Sequence, residues 1–244
     1  MDLYTLLLIG LVVLLTSISK SAFAGALGVF SVPLLMLVMP AAQAIALILP
    51  ILLIADVMTV KSYWQKWDKG LILSLVPGAL VGITIAHFTI HSISPEVLGL
   101  LIGFLCILFS LKNLLLKQTR ITALNNAFGT WLMSGFSGLS STLVHAGGPP
   151  LLIYFSAIGL SPKQFVASAA IFYALMNVVK LVGFVSLGLL NVDLIIMAAA
   201  FVPLSILGNW LGVKIHGRLD VVAFMKVMNI LLLVLGSYLI VRSV

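Results

Sequence analysis

Long apolar runs separated by short polar or charged stretches dominate the chain. They fall at about 42–62, 70–88, 96–116, 123–142, 163–187, 192–213 and 222–241, each close to the roughly 20 apolar residues that a transmembrane helix needs. A run at 3–19 is nearly long enough to span, whereas those at 25–39 and 149–160 are too short to do so comfortably. The pattern predicts an all-α, polytopic membrane protein of about eight to ten membrane segments, some of them short or interrupted. Ala22-Phe23-Ala24, after the first run, mimics a signal cleavage site. The expectation is nevertheless a retained membrane helix, because only Asp2 precedes the run where a signal needs a basic region, and because the same long-then-short pattern recurs at 123–160.

Composition narrows the class. Of 244 residues, 62% are hydrophobic and 8% charged, with a mean hydropathy of +1.29; a soluble domain carries about 25% charged residues. The formal charge is +7, but the basic residues stand singly at the ends of apolar runs instead of forming a stripe, which excludes nucleic-acid binding and reads as topology. Lys61, Lys66 and Lys69 place the 61–70 connection inside, as do Lys112, Lys117 and Arg120 for the mid-chain connection and Lys214 with Arg218 near the end. The 88–95 and 188–191 connections lack Lys and Arg and face outward. Lys163 then starts its helix inside and Gln43 starts its helix outside. Both termini fall outside if 3–19 and 25–39 each cross, with Lys20 on the inner side and Arg242 as the discordant charge. The single cysteine, Cys106, lies in an apolar run and forms no internal disulfide.

The two halves can be laid over one another. Pro33-Leu34-Leu35 matches Pro150-Leu151-Leu152, Val76-Pro77 with Gly82 matches Val202-Pro203 with Gly208, and Gln43, Ala46 and Asp56 fall opposite Gln164, Ala167 and Asn177. Residues 1–120 are thus expected to be a first membrane repeat and 121–244 a second, within one integral membrane domain. If the first starts outside and the second inside, the repeats are inverted. Inverted repeats with short, interrupted helices are the pattern of secondary transporters, whose site lies near the midplane.

The interruptions carry the candidate chemistry. His145-Ala146-Gly147-Gly148-Pro149-Pro150 cannot continue a helix, and broken backbone at this depth must line a cavity or be buried in protein. Pro149 and Pro150 suit the first turn of a new helix, leaving the Gly147 and Gly148 amides to point at an anion. Ser140, Ser141 and Thr142 offer hydroxyls just upstream. In the first repeat the matching break holds Ser19 and Lys20 and runs to Gly28. Asp56 and Lys180 lie within spans, where ionisable groups are costly and mark function by default; Asp56 sits about 6 Å inward and Lys180 about 8 Å outward of their helix centres. Lys180 can also snorkel to the interface, and Asp56 can also pair with Lys61. Asn177 and Lys180 share a helix face.

Gly78 and Gly82, Gly99 and Gly103, and Gly208 and Gly212 fit the small-xxx-small packing pattern. His87, His91 and His216 lie near loops without ligand spacing to carboxylates or cysteine, so no metal site and no cofactor are expected.

Together these residues resemble the sulfite exporter TauE/SafE family of bacterial inner-membrane proteins over nearly the whole chain. The carrying segments are Ser19-Lys20 with Gly25 and Gly28 before Val32-Pro33-Leu34, Gln43-Ala44 with Leu49-Pro50, Leu75-Val76-Pro77-Gly78-Ala79 with Gly82, the break from His145 to Pro150, and Asn177-Val178-Val179-Lys180-Leu181. The resemblance implies a multi-pass carrier of small, sulfur-containing anions such as sulfite, thiosulfate, sulfoacetate or organosulfonates, with protons as the coupling ion and alternating access. The first break departs from the family pattern, since Ser21-Ala22 and Ala24-Gly25-Ala26 stand where several relatives are glycine-rich.

On this reading the substrate-binding candidates are Ser19, Lys20, Ser141, Thr142, His145, Gly147, Gly148, Asn177 and Lys180. Asp56 is expected to form an ion pair that switches between states, and His145, with an ordinary pKa near 6.5, to couple protons. Partners are the anion, protons and membrane lipid, with oligomeric state open and a homodimer compatible. Two alternatives stand beside the carrier. One is a passive anion channel, which also uses broken helices. The other is an intramembrane serine protease, since Gly135-Phe136-Ser137-Gly138 fits a rhomboid-like signature with His145 following. That dyad demands a fold-back, because eight residues of helix separate the two by about 12 Å.

Overall fold

A computed structural model describes residues 2–23, 28–115, 121–215 and 221–244. Gly25 with its neighbours at 24–27, Lys117, Arg120, His216 and Arg218 lie outside the described residues. Among those described the chain is all-helical: α1 (Leu3–Phe23), a 3-10 turn at Gly28–Phe30, α2 (Ser31–Leu35), α3 (Ala41–Ser62), α4 (Lys69–Ser92), α5 (Pro95–Leu115), α6 (Ala127–Val144), α7 (Gly148–Ile158), α8 (Pro162–Ser186), α9 (Val192–Ala200), α10 (Val202–Ile215) and α11 (Val221–Ser243). Polar side chains write several of the starts: Asp68, Asn126, Ser161 and Asn191 each accept from the backbone amide three residues on, satisfying an orphan donor of the first turn.

Among the described residues α1, α3, α4, α5 and α8 are long and apolar enough to cross a membrane, and α9 with α10, bent by 46° to one another, pass the same test as a pair. The bend falls where Pro203 cannot donate to the preceding turn, although α4 absorbs Pro77 without a break. The expected run at 123–142 becomes a 3-10 turn at Thr122–Leu124 followed by α6, whose glycines and hydroxyls dilute its hydropathy. The short runs do not span. At about 1.5 Å per residue, α2 and α7 reach about 8 and 16 Å of a hydrocarbon core about 30 Å thick.

Helix directions follow from specific contacts. Gly78 and Gly82 of α4 abut Trp131 and Gly135 of α6, so these helices run parallel. The Asp68 amide reaches the Ser168 hydroxyl (3.5 Å), which brings the start of α8 to the same end. The pair α6–α7 therefore returns to the end where it began. Gly208 and Gly212 of α10 abut Leu14 and Ile18 of α1, so these too are parallel, and α1–α2 begins and ends at the opposite face. Gly99 and Gly103 of α5 meet Ser243 and Ile240 of the antiparallel α11. Arg242, the charge that disagreed with the sequence-derived orientation, donates to the Met36 carbonyl (2.9 Å) and caps the chain just past α2.

The core centres on α3, of which 61% is buried, against 39% for α4 and α5. Its residues from Ala44 to Leu49 have no exposed surface, while Leu73, Phe88, Phe104, Val182 and Val241 face outward, as lipid contact requires. The glycine contacts leave no room for a side chain: a Cβ on Gly82 would lie 2.8 Å from the Leu139 nitrogen and closer still to the Gly135 carbonyl. Gly82→Leu is expected to force α4 from α6 and cost at least about 3 kcal/mol. Cys106 is fully buried, so a thiol-reactive dye read during heating reports unfolding, and the variant should melt well below the wild type.

Candidate functional site

The second break is built by α6 and α7. His145 takes the left-handed conformation, φ 53°, uncommon for a residue with a Cβ. Its amide and that of Ala146 fold back onto the Ser141 and Ser140 carbonyls at 3.1 and 3.2 Å. The Ser140 hydroxyl donates to the Ala146 carbonyl (2.9 Å) and the Ser137 hydroxyl to the Gly147 carbonyl (2.8 Å), so α6 side chains replace the hydrogen bonds that the broken backbone forfeits. Gly147 caps α7 without a side-chain bond, and Pro149 and Pro150 occupy its first turn. The first break meets the second: a Cβ on Gly28 would stand 2.7 Å from the His145 carbonyl oxygen.

Around this junction lies a buried ionic network. Lys180 is fully buried rather than snorkelling, and its ammonium donates to the Ser141 carbonyl (3.1 Å), the Ser141 hydroxyl (3.0 Å) and His145 Nδ1 (3.3 Å). Three acceptors match three N–H groups. His145 Nε2 lies 3.0 Å from the Ile45 carbonyl, which can only accept, so Nε2 carries the proton and Nδ1 is free to accept from Lys180. Asp56 pairs with Lys20, not with Lys61, and its other oxygen accepts from Asn177 Nδ2 at 2.5 Å. Lys20 also approaches the Leu52 carbonyl (3.5 Å). The offset of Asp56 and Lys180 from their helix centres is thus bridged by Asn177, one turn before Lys180 and directly opposite Asp56, where the alignment of the halves put it.

A cavity of about 20 Å³ opens at the junction. Of the residues expected from sequence, Lys20, Ser141, His145, Gly147, Gly148 and Asn177 line it. Lys180 stands one layer back, behind Ser141 and His145. Ser19 is buried on α1 outside the lining, and Thr142 spends its hydroxyl on the Gly138 carbonyl within α6. Thr16, Gly28, Leu52 and Tyr173 complete the lining. Thr16 and Tyr173 stand four residues before Lys20 and Asn177, so helical spacing from the charged or polar candidates would have found both.

With both lysines protonated, two ammonium groups against one carboxylate leave one surplus positive charge among largely buried residues. Such a site favours a monovalent anion, because desolvating an anion is tolerable only where donors and opposite charge replace its water. Serine-protease geometry is not present: the Ser137 hydroxyl faces the Gly147 carbonyl, and both His145 nitrogens are engaged elsewhere. His87 is half-buried against Phe184, ring centroids 5.4 Å apart, and its Nε2 has no hydrogen-bond partner among the described residues. His91 is exposed. Among the described residues no group of three or more His, Cys, Asp or Glu could hold a metal ion.

Several long apolar helices, two helix breaks that meet at Gly28 and His145 and a cluster of buried Lys, Asp, Asn and His side chains around them define a multi-pass membrane protein. The sulfite exporter TauE/SafE family profile matches residues 9–239, and the chain belongs to that family, which is one of exporters rather than enzymes. A probable sulfite/organosulfonate exporter TauE from Cupriavidus necator is 26% identical over 141 residues, covering 57% of this chain and 54% of the relative. The match thus spans about half the length of that protein. No solved structure matches the chain.

Proposed function

We propose that this protein is a secondary carrier of small monovalent sulfur anions, sulfonates and bisulfite foremost, working by alternating access in the bacterial inner membrane. The observation that carries the reading is the pair of buried lysines, Lys20 and Lys180, set against the single carboxylate of Asp56 where the two arms meet. Residues 1–120 and 121–244 act as inverted repeats. Support comes from the exchange of partners between halves: α4 of the first packs on α6 of the second, as α10 of the second packs on α1 of the first.

In this mechanism the anion competes with Asp56 for the Lys20 ammonium. Arrival of substrate frees Asp56, which keeps Asn177, and release restores the ion pair. Lys180 supplies charge from behind Ser141 and His145, while the Gly147 and Gly148 amides and the Ser141 hydroxyl face the anion. The cavity of about 20 Å³ holds about one water, so binding requires the arms to part. His145 is the proton-coupling group: a proton arriving at Nδ1 would face the Lys180 ammonium and eject it from its three acceptors.

Counterflow in proteoliposomes tests the reading. Labelled sulfite and a labelled small sulfonate should enter saturably, accumulate transiently against unlabelled anion inside, and respond to an inward proton gradient. Linear, non-saturating flux without counterflow would make the protein a channel and overturn it.

A further inference from the structure

A crevice of about 380 Å³ lies between α3 and α8, on the opposite side of Asp56 from the polar cavity. Its walls are mostly apolar, with Leu53, Val57 and Val60 from α3, Trp64 just beyond it and Ile171, Ala174 and Val178 from α8, and Lys61 of α3 lines it as well. Val57 and Val178 are 70% and 53% exposed, so the crevice opens sideways from the helix bundle. Asp56 belongs to its lining, whereas the two partners that hold the Asp56 oxygens, Lys20 and Asn177, line the polar cavity. One carboxylate therefore stands between the Lys20 side of the polar cavity and a mostly apolar crevice whose one cationic lining residue among those described is Lys61.

Resting on the anion-carrier reading, we propose that the substrates include amphiphilic anions, single alkyl chains ending in a sulfonate or a group of like charge and shape. The head replaces the Asp56 carboxylate on Lys20, and the chain lies in the α3–α8 crevice. The sizes favour this arrangement. The polar cavity has room for about one water, while the crevice has many times that volume immediately beside the ion pair. Charge is complementary as well, since the group leaving Lys20 is an anion and the group replacing it must be one.

The test is binding of methane-, butane-, hexane- and octanesulfonate to the full chain in a single detergent. Apparent affinity should rise about fourfold per methylene in the wild type. Val178→Trp and Val57→Trp fill the crevice from exposed positions; both should flatten that slope and leave methanesulfonate affinity unchanged. Val182→Trp, at a 68% exposed position one turn further along α8 and outside the crevice lining, should keep the wild-type slope, which removes partition into detergent from the comparison. A wild-type affinity independent of chain length overturns the proposal, as does an unchanged slope in both crevice variants. So does displacement of octanesulfonate, but not of methanesulfonate, by added phosphatidylglycerol, which would give the crevice to lipid. Lys20→Met should weaken every member of the series by a similar factor. If it weakens none while the crevice variants still flatten the slope, the anion-carrier reading fails and the alkyl site stands.

Discussion

Replacing Lys180 with methionine should lower anion uptake by about 30-fold or more while the protein remains folded. The ammonium sits in no direct contact with the cavity, yet it provides the positive charge that Asp56 does not cancel. Removing one buried, hydrogen-bonded charge from such a set costs about 2–5 kcal/mol of interaction with the opposite charge, which is a loss of about 30-fold to several thousandfold. The cost to folding is smaller. Methionine leaves the Ser141 hydroxyl and His145 Nδ1 without Lys180, both neutral, at about 1–3 kcal/mol. Initial rates of labelled sulfite uptake, normalised to protein that melts cooperatively by the Cys106 dye signal, separate the two effects. Lys180→Arg should not restore transport, because a planar guanidinium cannot converge on three acceptors placed around a compact ammonium at 3.0–3.3 Å. Uptake above a third of the wild-type rate in Lys180→Met would remove the surplus charge from the mechanism.

The Lys20–Asp56 pair should show a different signature. Asp56→Asn strands the Lys20 ammonium in a buried position and should cost about 3–5 kcal/mol of stability. Lys20→Met strands the carboxylate, which keeps Asn177, and should cost a similar amount. The double variant Lys20→Met/Asp56→Leu removes both charges and should melt above either single one, the non-additivity measuring the coupling between them. Transport should not follow stability. The double variant has no ammonium lining the cavity and should be inactive. Asp56→Asn should bind anion more tightly yet turn over more slowly, because nothing reclaims Lys20 when substrate must leave. A low KM with a low kcat is the expected pair of values. Asp56→Asn with normal turnover would show that Asp56 does not act as the internal competitor.

Much of this was legible in the chain. Apolar runs located the helices within a few residues, and the Gly-Gly-Pro-Pro sequence after His145 located the sharper break, since backbone chemistry alone forbids a continuous helix there. Asn177 opposite Asp56 came from aligning the halves. The number of crossings was less legible, because run length could not tell a short span from a re-entrant arm and because α6 mixes small and hydroxyl residues into an otherwise apolar stretch. The partners of the buried lysines were hidden for another reason. Lys20 and Asp56 are 36 residues apart and His145 meets the Ile45 carbonyl across 100, and a main-chain acceptor leaves no trace in residue identity. The retreat of Lys180 behind Ser141 depends on where the left-handed turn at His145 directs two side chains, which requires the fold.

The contact between Gly28 and the His145 carbonyl has a mechanical meaning. At Gly28 the two arms bear on each other through main chain, with no side chain interposed at that point, so neither can advance there unless the other withdraws. Such an arrangement works as an interlock. In the alternating-access mechanism proposed above, that main-chain obstruction would keep vestibules on the two faces of the membrane from joining, whatever the charge state of the side chains around it. A methyl group added at position 28 would act as a wedge in that interlock, holding the arms apart at the place where their exclusion keeps the membrane closed.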